Sequence, residues 1–201
     1  MIHILCTDVS SADKDCYNRL YTNASPERKE RADRCLRQED KLRCVTAHAL
    51  LQAVLKMEVY QIERNACGKP YVKGRNGFHY NLSHSGRYVV IAWGDSEVGV
   101  DVQQQNAAVN IDAIARRFFT RDEQDYIRGN LLRFYEIWTK KESYIKYTGE
   151  GLHRDLKSFS VLAPEPEIRY FYRTLEGGYS LSLCTKENDC AFQLLDVKRL
   201  L

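Results

Sequence analysis

The chain has 201 residues, 28% charged and 44% apolar, a balance that excludes collagen-like, disordered and coiled-coil classes and allows one large domain or two lobes of about 100 residues. Its formal net charge of +3 is too small for the broad basic footprint of a duplex nucleic-acid binder, and no apolar run approaches the roughly 18 residues of a membrane span, the longest being Val89 to Trp93. The seven cysteines are an odd number without any C-x-x-C pair and Asp8 interrupts the amino terminus before a signal-peptide core, so a cytoplasmic protein with reduced thiols and no membrane or nucleic-acid partner is expected.

Ile2, Ile4 and Cys6 alternate, which predicts a short strand. Ser25-Pro26-Glu27 supplies an N-cap, a first-turn proline and a first-turn acid, opening a helical stretch to about Met57. Its apolar pattern weakens from Gln38 to Lys41, so two helices with a break there are expected, the second burying Leu42, Val45, Ala49, Ala53 and Val54. Arg28, Arg31, Arg34 and Arg43 stand among acids, which by itself describes a solvated face with internal ion pairs. From Asn65 to Arg87 no acid occurs, while Lys69, Lys73, Arg75, His79, His84 and Arg87 do, so an anion could be received locally.

Phe78, Tyr80 and Leu82 alternate, Ser83 to Gly86 turns, Tyr88 to Trp93 resumes, and Val98, Val100 and Val102 alternate with Gly99, Asp101 and Gln103. The pattern predicts a three-strand meander with the valines on the core face and Asp101 facing either solvent or a site. Gln103 to Asn106 reads as a linker. Beyond it, Thr120-Arg121-Asp122-Glu123 is a capping box, a strong helix runs from Leu131 to about Tyr147, and strands are expected at Ser158 to Leu162, Ile168 to Arg173, Tyr179 to Cys184 and Ala191 to Val197. Both halves run helices and then a meander, with Gly86-x-Tyr88 in one matched by Gly177-x-Tyr179 in the other. The expected fold is α+β, two similar lobes at 1–105 and 106–201 related by a pseudo-twofold axis, with the site in the cleft between them.

On the helix from Leu131, Glu142 falls on the apolar stripe of Leu131, Tyr135, Trp138 and Ile145. A carboxylate buried there needs a cation, a metal or a proton as partner. Lys146 lies one turn on, and an ordinary Glu–Lys pair at i,i+4 is the alternative. Asp101 and Glu142, with the amide oxygen of Gln103, form a set of hard oxygen ligands suited to magnesium. With His84 and Lys69 added, they describe a magnesium-assisted site for a phosphorylated substrate, and neither a P-loop nor a G-x-G-x-x-G is present.

Five ordered blocks, GKPY at 68–71, NLSHSG at 81–86, GVDVQ at 99–103, FFTRDEQ at 118–124 and WTKKESYIK at 138–146, resemble the 4′-phosphopantetheinyl transferases, in particular their larger, pseudo-dimeric class. The resemblance implies an enzyme of the holo-acyl-carrier-protein synthase type. It would move the phosphopantetheine arm of coenzyme A to a serine of an apo acyl, peptidyl or polyketide carrier protein and release adenosine 3′,5′-bisphosphate; the internal pseudo-symmetry of the chain separately favours a monomer. The resemblance implies Asp101 and Glu142 as magnesium ligands, Ser83 and His84 at the pyrophosphate, and Lys69, Arg43, Arg28 and Arg31 at the adenine end and its 3′-phosphate. Glu142 would also be the base for the carrier serine, and Lys146 would touch the departing phosphate and offset its charge. Gln103 stands where many members carry a second acid. Two rival readings use the same residues: a magnesium-dependent phosphohydrolase or nuclease, and a non-catalytic coenzyme A binding protein.

Overall fold

The computed structural model describes residues 1–56, 60–151 and 154–201. The order is β1 (Ile2–Asp8), α1 (Lys14–Thr22), α2 (Pro26–Asp33), α3 (Gln38–Leu55), β2 (Ile62–Arg64), β3 (Pro70–Val72), β4 (His79–Ser85), β5 (Tyr88–Gly94), β6 (Val98–Gln104), α4 (Ile111–Phe118), α5 (Arg121–Ile127), α6 (Leu131–Thr148), β7 (Arg169–Leu175), β8 (Tyr179–Thr185) and β9 (Cys190–Asp196). It is an α+β fold, as expected.

The helix starts follow from local chemistry. Ser25 Oγ accepts from Arg28 N with Pro26 behind it, Glu123 accepts from Thr120 N in the capping box, and Asn130 Oδ1 accepts from Arg133 N at the head of α6. Gly149, in the left-handed region at φ +71°, ends α6. The break between the first long helices comes earlier than expected. Arg37 is extended and α3 begins at Gln38, because Gln38, Glu39 and Asp40 are good first-turn residues for a helix dipole rather than a weak interior. Leu55 is its last helical residue, and Met57 lies outside the described residues. Helix α1, capped by Asp13 and burying only Cys16 and Leu20, has too thin an apolar stripe to be read from sequence.

Both expected meanders need correcting in the same way. β4 and β5 pair as a hairpin, but β6 leaves them and pairs antiparallel with β8; β7 and β8 pair as a hairpin, but β9 leaves them and pairs parallel with β1. The result is one sheet of order β4-β5-β1-β9 and another of order β6-β8-β7, beside a small β2-β3 hairpin. Each half of the chain thus gives its third strand to the other half's sheet.

The expected strand at Ser158 to Leu162 is absent as well. Its backbone groups are taken by side chains: Lys141 Nζ donates to Leu156 O and Phe159 O, and Glu123 accepts from Val161 N. A buried ion pair replaces the sheet partner.

The layers run helix, sheet, sheet, helix. Helix α3 packs Leu50 and Leu51 with Leu5, Val89 and Ile91, while the opposite faces of β1 and β5 pack Ile4, Cys6 and Val90 against Val98, Val100, Val102, Leu181 and Leu183. Helices α4 to α6 close the far side around Phe119, Phe134 and Ile137. The valines do lie on the core face. All seven cysteines are free thiols, and burial pushes Cys6 up to about 12. Among the described residues, no helix is long and apolar enough to cross a membrane.

Candidate active site

The site begins with a glycine. β6 runs under α6, and a Cβ on Gly99 would stand 2.0 Å from Ser143 O and 2.3 Å from Tyr147 N. Only a residue without a side chain lets the helix lie this close. That approach brings Lys146, on the next turn, over Asp101, two residues along β6 on the same face.

Asp101 is 2% exposed, and Lys146 Nζ donates to its Oδ1 at 2.6 Å. Lys146 also donates to Ser83 Oγ at 3.0 Å and Val100 O at 3.1 Å, so its three protons each have an acceptor. The i,i+4 pair with Glu142 considered from sequence is not formed. Among the described residues Glu142 has neither an ion pair nor a hydrogen bond. Burial first, and then the charge of Asp101, push its carboxyl above the usual range, with Lys146 opposing. The helical stripe was too narrow a description: α6 buries Phe134, Ile137 and Lys141 as well as Tyr135 and Ile145, and leaves Trp138 only half-buried.

Ser83 reaches this cluster from β4. Its Oγ donates to Asp101 Oδ1 at 2.8 Å and accepts from Val102 N at 3.2 Å as well as from Lys146. Its one proton is therefore committed to Asp101. Asn81 and Ser85, two residues to either side, accept from Val100 N and Gln104 N. Strands β4 and β6 are zipped by side chains rather than by a backbone ladder. The signal lay in the N-x-S-x-S alternation of the NLSHSG block, a polar stripe of period two whose partners the sequence does not name.

Gln103 donates from Nε2 to Asp101 Oδ2 at 3.1 Å, so its amide meets Asp101 through nitrogen. His84 is exposed, although neighbouring protein atoms displace part of its hydration, and Arg43, Lys146 and Arg31 lie within electrostatic reach of it. Lost hydration first, then these cations, hold its pKa below that of an ordinary imidazole, with Asp40 opposing. Arg43 binds Gly86 O at 2.8 Å and Asp40.

Two expected anion-binding residues lie apart from this cluster. Arg28 approaches Cys44 Sγ and acts electrostatically on His48, Tyr60 and Tyr80. Lys69 donates to Glu97, Val98 O and Tyr147 O, about 10 Å from Asp101 by three residues of strand rise. The segment without acids is not without acids in space: Lys73 meets Glu63, His79 meets Glu97, and Arg87 meets Asp8. A cleft of about 350 Å³ opens beside Lys69, lined also by Tyr71, Arg75, Phe78 and His79, and the two carboxylates lie outside it.

Among the described residues, no three His, Cys, Asp or Glu side chains converge. The pair fits magnesium nonetheless. Lys146 pairs with Asp101 alone, the half-buried Glu142 beside it has neither an ion pair nor a hydrogen bond among the described residues, and hard oxygens with room for water and phosphate oxygens are what this ion takes.

Residues 97–194 match the model of the 4′-phosphopantetheinyl transferase superfamily, and residues 11–96 match that of the 4′-phosphopantetheinyl transferase N-terminal domain. The chain is 30% identical to the 4′-phosphopantetheinyl transferase Sfp of Bacillus subtilis strain 168, over 85% of this chain and 86% of that protein. It is 31% identical to the 4′-phosphopantetheinyl transferase gsp of Aneurinibacillus migulanus, over 80% and 71% of the two chains. It is also 31% identical to an L-aminoadipate-semialdehyde dehydrogenase-phosphopantetheinyl transferase of Xenopus laevis, over 74% and 57%.

Proposed function

The chain belongs to the 4′-phosphopantetheinyl transferase superfamily and transfers phosphopantetheine to carrier proteins; from that premise we propose how its own residues perform the transfer. The donor is coenzyme A. The oxygen of a carrier serine attacks the phosphorus that bears pantetheine, the bond from that phosphorus to the bridging oxygen breaks, and adenosine 3′,5′-bisphosphate leaves with the electron pair.

Glu142 takes the serine proton. The observation that carries this role is its half-buried carboxylate, which among the described residues has neither an ion pair nor a hydrogen bond and whose raised pKa makes it a stronger base than a solvated glutamate. Lys146, fixed by three acceptors, places positive charge beside the reacting phosphates without having to reorganise. His84 meets the pyrophosphate from the exposed edge of β4, with Arg43 and Arg31 beside it. Ser83, its proton committed to Asp101, serves by holding Asp101 and Lys146 together rather than by donating to phosphate.

Asp101 and Glu142 would hold magnesium, which when bound supplies Lewis-acid charge at the pyrophosphate oxygens. Gln103, donating to Asp101, orients that ligand and brings no charge of its own. Lys69 and the cleft beside it suit the nucleotide end, through the Arg75 guanidinium, the imidazole of His79 and the aromatic ring of Phe78.

The protein works as a cytoplasmic monomer with the division at 105/106 as its unit of duplication. It accepts both acyl and peptidyl carriers, which includes the holo-acyl-carrier-protein synthase reaction. Intact-mass analysis of apo-carriers incubated with coenzyme A and magnesium tests this. Phosphopantetheine adducts on both carrier types are expected, and adducts on neither would overturn the assignment.

A further inference from the structure

The turn that follows His84 is held from two sides. Gly86 and Arg87 form the two-residue connection between β4 and β5, with Gly86 at φ +51°, the hand that such a turn requires at its first position. On the site side, Arg43 donates to Gly86 O at 2.8 Å. On the far side, the hydroxyl of Tyr179, from the other half of the chain, accepts from Arg87 N at 3.1 Å. A Cβ on Gly86 would stand 2.0 Å from that hydroxyl, so the turn rests directly on it.

The arrangement is reciprocal. Tyr88 begins β5 as Tyr179 begins β8, and the Tyr88 hydroxyl donates to Glu176 O in the β7–β8 turn at 3.3 Å. The two rings pack edge to face at 4.9 Å in the core between the sheets. Each hairpin's tyrosine thus braces the other hairpin's turn. Only one of the two turns carries His84.

We infer that Tyr179 is a positioning residue for coenzyme A. Through Arg87 N it fixes the height of the Gly86 carbonyl, and through that carbonyl the Arg43 guanidinium that lies within electrostatic reach of His84. The C-terminal hairpin, which supplies none of the site's side chains, thereby sets the affinity of the N-terminal anion site. The inference rests on the reading of His84 and Arg43 as coenzyme A contacts.

The test compares Tyr179→Phe with Tyr88→Phe. Each removes one hydroxyl from the same buried pair and keeps the ring, so both should fold; Tyr88→Phe also releases the Arg87 side chain, whose Nη2 donates to the Tyr88 hydroxyl at 2.8 Å, but leaves Arg87 N on Tyr179 and the Gly86 carbonyl on Arg43. Tyr179→Phe should weaken coenzyme A binding about fivefold to tenfold by calorimetry and raise the KM for coenzyme A in step, the size expected of one lost hydrogen bond acting through the turn. Its kcat and its KM for the carrier should stay within about twofold of wild type. Tyr88→Phe should bind coenzyme A as wild type does. Unchanged affinity in Tyr179→Phe, or an equal loss in both variants, overturns the inference while leaving the proposed function standing. A wild-type protein that binds no coenzyme A overturns both.

Discussion

Lys146 has two carboxylates within electrostatic reach and bonds to one of them. Loss of hydration first, and then the charge of Asp101, raise the pKa of Glu142, and Lys146, bonded to Asp101, only opposes them. A carboxyl whose pKa is raised on folding favours the folded state while protonated, and this advantage is lost as pH rises through the raised value. Glu142→Gln should therefore stabilise the metal-free protein by on the order of 1 kcal/mol at pH 7 and by nothing at pH 4, while transfer falls by at least about 10²-fold. Melting curves at the two pH values, beside the intact-mass assay, separate this from a structural ion-pair role, in which the variant would be less stable at pH 7. His84 has the opposite sign. Its pKa is lowered in the free protein, and a bound pyrophosphate favours the imidazolium, so coenzyme A binding should take up a proton and tighten as pH falls from 8 to 6. His84→Ala should cost about 1.5–3 kcal/mol of binding and abolish the proton uptake, which calorimetry in two buffers of different ionisation enthalpy reads directly.

Between elements, contacts that sequence periodicity cannot express decide the geometry. Gly99, Asp101 and Gln103 were legible as one face of a strand, and that face does hold the site. What covers it was not legible, because period two says which residues share a face and nothing about the helix that crosses it. Gly99→Ala tests the crossing. The added methyl meets backbone at 2.0 Å, which cannot rotate away, so α6 must lift and carry Lys146 off Asp101. A loss of about 3 kcal/mol or more, seen as a drop of roughly 6–12 °C in Tm, should accompany loss of transfer. Lys141 and Glu123 were likewise legible as letters of two motifs but not as a pair. They are 1% and 0% exposed and 2.9 Å apart, and burial lowers the pKa of Lys141 while Glu123 opposes it. Their hydrogen bonds hold Leu156 O, Phe159 O and Val161 N, across a segment that overlaps the strand expected at Ser158 to Leu162. Lys141→Ala strands a buried carboxylate and should cost about 3–5 kcal/mol, a cost that Glu123→Gln combined with Lys141→Met should largely recover by chemical denaturation.

At the scale of the whole molecule, the likeness of the two halves was visible in Gly86-x-Tyr88 and Gly177-x-Tyr179, and the structure gives it substance in the reciprocal tyrosine bonds. The exchange of third strands was not visible. An alternating strand advertises a buried face, whereas its choice of partner depends on which edge the rest of the chain leaves open. The family models divide the chain at 96/97, ahead of β6, and the linker composition divides it after β6. The sheets explain why both divisions are defensible: β6 is joined by chain to the first half and by its ladder to the second. The exchange predicts the outcome of cutting the chain. A fragment 106–201 keeps β7 and β8 but loses β6 from beside β8, and its β9 has no β1 to pair with. Its sheet is then a lone hairpin, marginal in water, with the inner face of Leu181 and Leu183 uncovered. A fragment 1–105 keeps β1, β4 and β5 but exposes Val98, Val100 and Val102 along an unpaired strand, at about 1.5–3 kcal/mol for each valine that cannot stay buried, against a total stability of about 5–15 kcal/mol. Neither fragment should show a cooperative thermal transition by circular dichroism. Mixed or co-expressed, they should co-elute as a 1:1 complex and regain carrier modification, since each holds the strand the other needs. Cooperative melting of either fragment alone would mean that its sheet closes without the exchanged strand, and the two halves would then be independent folding units joined at the site.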